Sequence, residues 1–235
     1  PYTANTELWN GTNWTEVNNL NTARWEIVGA GADSTAAIGM GGQNPSVAPA
    51  MAQTETWNGT NWTEVNNLNT GRNGLSGAGA DSTSAVAFGG TPSPSPEGLA
   101  ITESWNGTNW TEVNDLNTAR RYLAGCGIVT SALATGGNTP PGAKQALNEQ
   151  FDGTSWTEVG DLNVARYGGA TGGTGTSARC VAGAPPTNPP AAGDKNEGWD
   201  GTSWTEATEH SDNSAGRAGF GDSKDFFMVA GGNAT

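Results

Sequence analysis

Histidine occurs once, cysteine twice, and lysine and arginine together only ten times in 235 residues. Each shortage removes a class of chemistry. A Ser-His-Asp or Cys-His arrangement would have to use His210, which sits in the irregular stretch "EATEHSDNSAG" with no nucleophile elbow beside it and reads as a solvated loop residue. Zinc wants clustered Cys and His, and calcium loops with alternating Asp and a pivot glycine are missing, so no metal and no cofactor is expected. Cys126 and Cys180 make no disulfide framework and read as small buried apolar residues. With 23 acidic residues the formal charge is −13, which repels phosphate backbones and anionic lipid. There is also no run of about 18 apolar residues and no signal-peptide pattern. Neither nucleic acid nor a membrane is an expected partner.

What the chain has in quantity is glycine, 36 residues, and tryptophan, ten, and both recur with a period. The second aromatic of each unit falls at Trp14, Trp62, Trp110, Trp156 and Trp204, with spacings of 48, 48, 46 and 48. Five residues before each stands Trp9, Trp57, Trp105, Phe151 or Trp199, and two before that Glu7, Glu55, Glu103, Glu149 or Glu197. Ten residues after the first four come Arg24, Arg72, Arg120 and Arg166, and Arg217 follows the fifth three residues late.

Each unit reads as four strands. "TELW" and "NWTEV" alternate around Asn10-Gly11, a dipeptide that favours a tight turn, and so form a hairpin. A polar connector, "NNLNTAR", leads to a small-residue strand such as "LSGAGA". A turn at Asp81-Ser82 and a strand "SAVAFGG" follow, and then a Pro-rich loop. Asn10, Asn13, Asn58, Asn61, Asn106, Asn109 and Asn233 match the glycosylation pattern. The counterparts Asp152, Asp200, Ser155 and Ser203 keep the turn chemistry without the acceptor, which favours the turn reading.

About 48 residues and four short strands is the size of a propeller blade. "AVAFGG" (85–90), "ITESWNGTNWTEV" (101–113) and "LNTARR" (116–121) resemble the kelch motif, with its glycine pair, spaced aromatics and Arg at the entry to the next strand. The resemblance spans essentially the whole chain and extends to the kelch-like blades of galactose oxidase. A copper centre of that kind needs two His and a Tyr, which a single His cannot supply. The chain departs from the motif in a tighter turn between the aromatics and in Gly183-Ala184, which stands for the glycine pair of the fourth unit.

The resemblance implies an all-β fold, one five-bladed propeller over 1–235 with four-stranded antiparallel blades at about 24–65, 72–113, 120–159 and 166–207. Outer strands in 1–17 are expected to pair with inner strands in 217–235 and close a fifth blade, leaving no large unpaired edge. The paired aromatics are read as filling between blades, each buried indole contributing about 3 kcal/mol. The Arg set would form a ring near the axis, open to an anion-capture reading, with Glu16, Glu64, Glu112, Glu158 and Glu206 as structural partners.

Function is sought where the repeats differ. The two residues after each Arg are Trp25-Glu26, Asn73-Gly74, Arg121-Tyr122, Tyr167-Gly168 and Ala218-Gly219, at one channel mouth. The loops 43–53, 91–100, 138–147 and 185–195 should rise from the same face. Trp25, Glu26, Asn73, Arg121, Tyr122 and Tyr167 are the ligand-binding candidates, and aromatics, Asn and Arg at a concave mouth suit sugars or peptides. The expectation is a non-catalytic binding or structural propeller, monomeric as an isolated domain, that meets an unknown protein or glycan at the loop-bearing face. The sharper form is a lectin-like propeller. A glycosidase or lyase is the alternative and would need paired carboxylates at the axis. Resemblance to Asn-, Gly- and Thr-rich repeats also suggests a soluble module of a larger viral or environmental bacterial surface protein, extracellular or virion-associated. Two-plus-two closure makes a definite forecast. Deleting residues 1–17 should lower the melting temperature sharply, and a truncation that melts with the parent refutes it.

Overall fold

The structure is a computed structural model that describes residues 2–93, 95, 97–183, 195–209, 214–225 and 227–234. His210, Ala184 and most of the loop 185–195 lie outside the described residues, as does the side chain of Arg217.

The chain opens with a hairpin of β1 (Thr6–Trp9) and β2 (Trp14–Val17). The first full sheet holds β3 (Val28–Asp33), β4 (Ala36–Met40), β5 (Thr54–Trp57) and β6 (Trp62–Val65), in that order. The second repeats it with β7 (Ser76–Asp81), β8 (Ser84–Phe88), β9 (Thr102–Trp105) and β10 (Trp110–Val113). The third uses β11 (Ala124–Ile128) and β12 (Ser131–Thr135), inserts a small loop hairpin β13 (Asn138–Thr139) and β14 (Ala143–Lys144), and finishes with β15 (Asn148–Phe151) and β16 (Trp156–Val159). The fourth is β17 (Ala170–Thr174), β18 (Ser177–Val181), β19 (Asn196–Trp199) and β20 (Trp204–Glu206). A last hairpin pairs β21 (Ser214–Gly221) with β22 (Phe227–Ala234). All strand pairs are antiparallel, and no helix among the described residues is long and apolar enough to cross a membrane.

The outer turns explain the Asn-Gly signal. Asn10, Asn58 and Asn106 each accept on Oδ1 the backbone N–H groups two and three residues on, at 2.9–3.0 Å, and Asp152 and Asp200 do the same at 2.8–2.9 Å. The glycine next in line has φ near +90°, a left-handed conformation that an L side chain enters at a cost of about 1–2 kcal/mol.

Sheets meet through alternating faces. Val86 and Phe88 of β8 face the next sheet and pack with Ala132, Ala134, Phe151 and Trp156. Ala85 and Ala87 face back onto Ile38 and Met40. Tryptophan stitches these seams, since the indole N–H of Trp62, Trp110 and Trp156 donates to the Oγ1 of Thr6, Thr54 and Thr102 in the sheet before. In the fourth sheet the matching acceptor position holds Asn148, whose Oδ1 takes the Thr135 hydroxyl instead, and the Trp204 N–H is buried without a partner. Trp57, Trp105, Trp110, Phe151, Trp156, Trp199 and Trp204 are buried as expected; Trp9 and Trp14 are not, because no sheet among the described residues covers their side of the first hairpin.

Three expectations are corrected. The described Arg residues of the set do not line the axial cavity. Arg24, Arg72, Arg120 and Arg166 are buried inside the sheets, paired with Glu55, Glu103, Glu149 and Glu197. Their partners are therefore the glutamates before the first aromatic, while Glu16, Glu64, Glu112, Glu158 and Glu206 are exposed. The same buried carboxylate also takes the backbone and side-chain N–H of the connector asparagine. Asn69 reaches Glu103 Oε2 at 2.7 and 2.8 Å while Arg72 reaches Oε1 at 3.0 Å. Arg72 further donates to the carbonyls of Ile101, Gly89 and Ala87. Burial pulls its pKa down to about 10, against Glu103, Asp115 and Glu112, so it stays charged at neutral pH.

Second, the fourth glycine pair is Ala182-Gly183. Their φ of 59° and 98° match Gly89-Gly90 (65°, 99°) and Gly136-Gly137 (63°, 98°), so an alanine occupies a left-handed position there. Third, Ala218 and Gly219 are not the counterparts of Trp25 and Glu26. They line the central cavity at the level of Val28-Gly29 and Ser76-Gly77, which sets the register of the fifth inner strand three residues from the sequence alignment and places Ser214, not Arg217, opposite Arg24.

Removing one partner of a buried ion pair costs about 3–5 kcal/mol. Glu103→Ala should therefore lose that much in chemical denaturation, while Glu112→Ala, on the exposed strand facing it, should stay within about 0.5 kcal/mol of the parent.

Candidate binding site at the axial mouth

The innermost strands follow one another in space, β3 beside β7, β7 beside β11, β11 beside β17 and β17 beside β21. All five border one cavity of about 560 Å³, whose lining includes Val28, Ser76, Ala124, Ala170 and Ala218. That volume lies within the range of small-ligand sites, about 300–1,000 Å³.

The residue after each buried Arg starts the mouth. Trp25, Asn73 and Arg121 exchange backbone hydrogen bonds with Gln43, Thr91 and Asn138, the residues just after each glycine pair, at 2.9–3.1 Å. The bases of the first three long loops therefore flank the mouth, and most of the loop 185–195, expected on the same face, lies outside the described residues. The next residue has φ near +55° in every described copy: Glu26 (53°), Gly74 (56°), Tyr122 (53°) and Gly168 (65°). A backbone belt links three of them, because Tyr122 N–H donates to Gly74 O at 2.7 Å and Gly168 N–H to Tyr122 O at 2.8 Å. Glycine suits this position without strain. Glutamate and tyrosine hold it at a cost of about 1–3 kcal/mol each.

The two strained residues carry the chemistry of the cavity. Glu26, Tyr122 and Trp25 all line it. Glu26 is partly buried, and its Oε2 accepts from Gln43 Nε2 at 2.8 Å. Burial raises its pKa, opposed by that hydrogen bond and by Arg121. Tyr122 lies over Gly74, whose absent Cβ would fall 2.7 Å from the ring. Burial raises the Tyr122 pKa too, and Glu26 adds to the shift. Trp25 is half exposed and packs against Tyr2 at 6.4 Å between ring centroids.

The other candidates divide. Arg121 stacks its guanidinium over Tyr122 at 5.4 Å and gives its Nε–H to Asn138, so it braces the tyrosine. Tyr167 packs on Tyr122 at 6.1 Å beneath Lys144 and is not part of the cavity lining. Asn73 is a correction. It is 5% exposed and donates to Pro49 O at 3.0 Å, which makes it a loop anchor with no reach into the cavity.

No family model and no curated protein matches the chain. Among solved structures 172 chains match. One of them, described as "Structure of YjhT", superposes with a TM-score of 0.72 at 16% identity, covering 91% of this chain and 74% of that one. Together with the repeated four-stranded antiparallel sheets, this likeness shows a propeller-type fold and nothing finer.

The Glu26 shift has a stability consequence. A carboxyl whose folded pKa is raised binds its proton more readily in the folded chain, so the group detracts from stability at neutral pH. That penalty fades as pH falls through the window just above 4.5, the ordinary glutamate value. Glu26→Gln should melt above the parent at pH 7, and the gap should narrow as pH falls toward 4.5.

Proposed function

We propose that this chain is a non-catalytic, kelch-type propeller of five blades that binds a glycan at its axial mouth, with Trp25, Glu26 and Tyr122 as the contact residues. One observation carries the reading. At a position where other repeats hold glycine, two repeats instead hold large side chains, on strained backbone, in the shared cavity. Strain of that kind is retained where the surrounding structure or a function requires the side chain. The chemistry matches a saccharide, since Trp25 and Tyr122 present flat apolar faces and Glu26 Oε1 accepts no hydrogen bond from the described residues, leaving it open to a hydroxyl donor. Glu26 is the one carboxylate among the described lining residues, which favours binding over hydrolysis by a carboxylate pair.

Five inner strands around one cavity support a count of five blades. The hairpin β1–β2 stands beside the first sheet as β5–β6 stands beside the second, through the equivalent Trp62–Thr6 and Trp110–Thr54 bonds. In the structure it forms a two-stranded sheet separate from β21–β22. Pairing of the free edges of β1 and β22 would complete the fifth blade and cover Trp9 and Trp14. A soluble module presenting one face to an extracellular partner, monomeric on its own, fits this reading.

Screening on a glycan array followed by titration calorimetry tests the site. The parent should bind at least one saccharide, and Glu26→Gly and Tyr122→Gly should each weaken it tenfold or more while melting no lower than about 2 °C below the parent. Ala182→Gly relieves the same backbone strain outside the cavity; it should raise the melting temperature and leave binding unchanged. An array without hits, or binding indifferent to the two mouth variants, refutes the proposal.

A further inference from the structure

The three seams between the full sheets are built from equivalent residues, and the third pair differs from the first two. Ala30 of β3 and Ala87 of β8 share the seam between the first and second sheets; Ala78 of β7 and Ala134 of β12 share the next. The same two positions at the third seam hold Cys126 of β11 and Cys180 of β18, packed in one cluster with Leu133, Ala178, Trp199 and Trp204. Cys126 faces forward and Cys180 faces back, as Ala78 and Ala134 do. Both members of a facing Ala–Ala pair are thus cysteine at a single seam, in a chain with no other cysteine.

We propose that Cys126 and Cys180 form a disulfide that staples the third and fourth sheets, made while the chain folds in the presence of a low-molecular-weight disulfide. In the structure both thiols are free and buried, and burial raises both pKa values. The reactive thiolate is therefore a property of the chain before the seam closes. One cysteine thiolate attacks the oxidant, breaking its S–S bond and releasing one small thiolate, which takes up a proton. The second cysteine thiolate then attacks the protein-bound sulfur of the resulting mixed disulfide and expels the other small thiol. One S–S bond is broken and one remains, and the two cysteine protons leave on the two small thiols. Once closed, the bond is shielded from reductant by the same cluster.

Refolding from denaturant in a reduced and oxidised glutathione buffer tests this. The expected product is a monomer 2 Da lighter than the reduced chain, with no thiol reactive in denaturant and a non-reduced peptide joining Cys126 to Cys180. It should melt several degrees above the protein refolded in excess reductant. The Cys126→Ala/Cys180→Ala variant installs the Ala–Ala pair of the first two seams and should fold and melt like the reduced protein, whatever the buffer. Two free thiols after refolding, glutathione adducts, intermolecular dimers, or an oxidised form that melts below the reduced one would each overturn the staple.

Discussion

The fold depends on a guanidinium that has been taken out of water. A buried arginine is tolerated only when its charge and its N–H groups find partners. Here the charge meets a glutamate on the third strand and the two Nη groups meet carbonyls around the glycine pair, while an asparagine three residues before the arginine donates to the same glutamate. The clasp thereby fixes how the connector from one sheet enters the next. It also sets where function can sit. Because the arginine is pinned, the residues that follow it are delivered to the mouth with their backbone already bound to the loop bases, and the loops are free to vary in length around a constant frame.

The legible part of the sequence was the part governed by local rules. Strand alternation, the Asn-Gly turns and the 48-residue spacing each follow from two or three neighbouring residues, and Asp152 and Asp200 keep the same turn bonds as the asparagines they replace. The arginine partner was not legible, because both glutamate sets share one period and sit opposite each other, as Glu103 and Glu112 do, so spacing cannot say which is buried. Asn73 was misread for a related reason. Exposure of a variable residue was assumed, whereas a proline-rich loop folds back and offers its Pro49 carbonyl. The left-handed belt did leave a signal, since glycine fills the position at 74 and 168. Only the backbone angles show what Glu26 and Tyr122 give up by being there.

The ends of the array show what a neighbour contributes. Trp9 and Trp14 carry the same local sequence as Trp105 and Trp110 and make the same tilted ring contact, 5.5 Å against 5.4 Å, yet one pair is exposed and the other buried. The hairpin is thus set by its own residues, and burial by the sheet beside it. Isolated two-stranded hairpins are marginal in water, so most of the stability of each unit comes from the seam and not from its own ladder.

Repetition also lets the chain serve as its own control. Left-handed strain in a non-glycine residue has no single meaning, as Ala182 shows: it stands at a glycine position, buried, with a methyl group that has no chemistry to offer. Glu26 and Tyr122 have the same kind of backbone angle but end in a carboxylate and a phenol that border one cavity, where Glu26 adds to the raised pKa of Tyr122. The difference is where the side chain goes. A departure from glycine that adds only volume to a core brings no new chemistry, whereas two departures that converge on one cavity from separate sheets bring a carboxylate and a phenol to it, and the frame that tolerates both is the one the buried arginines hold in place.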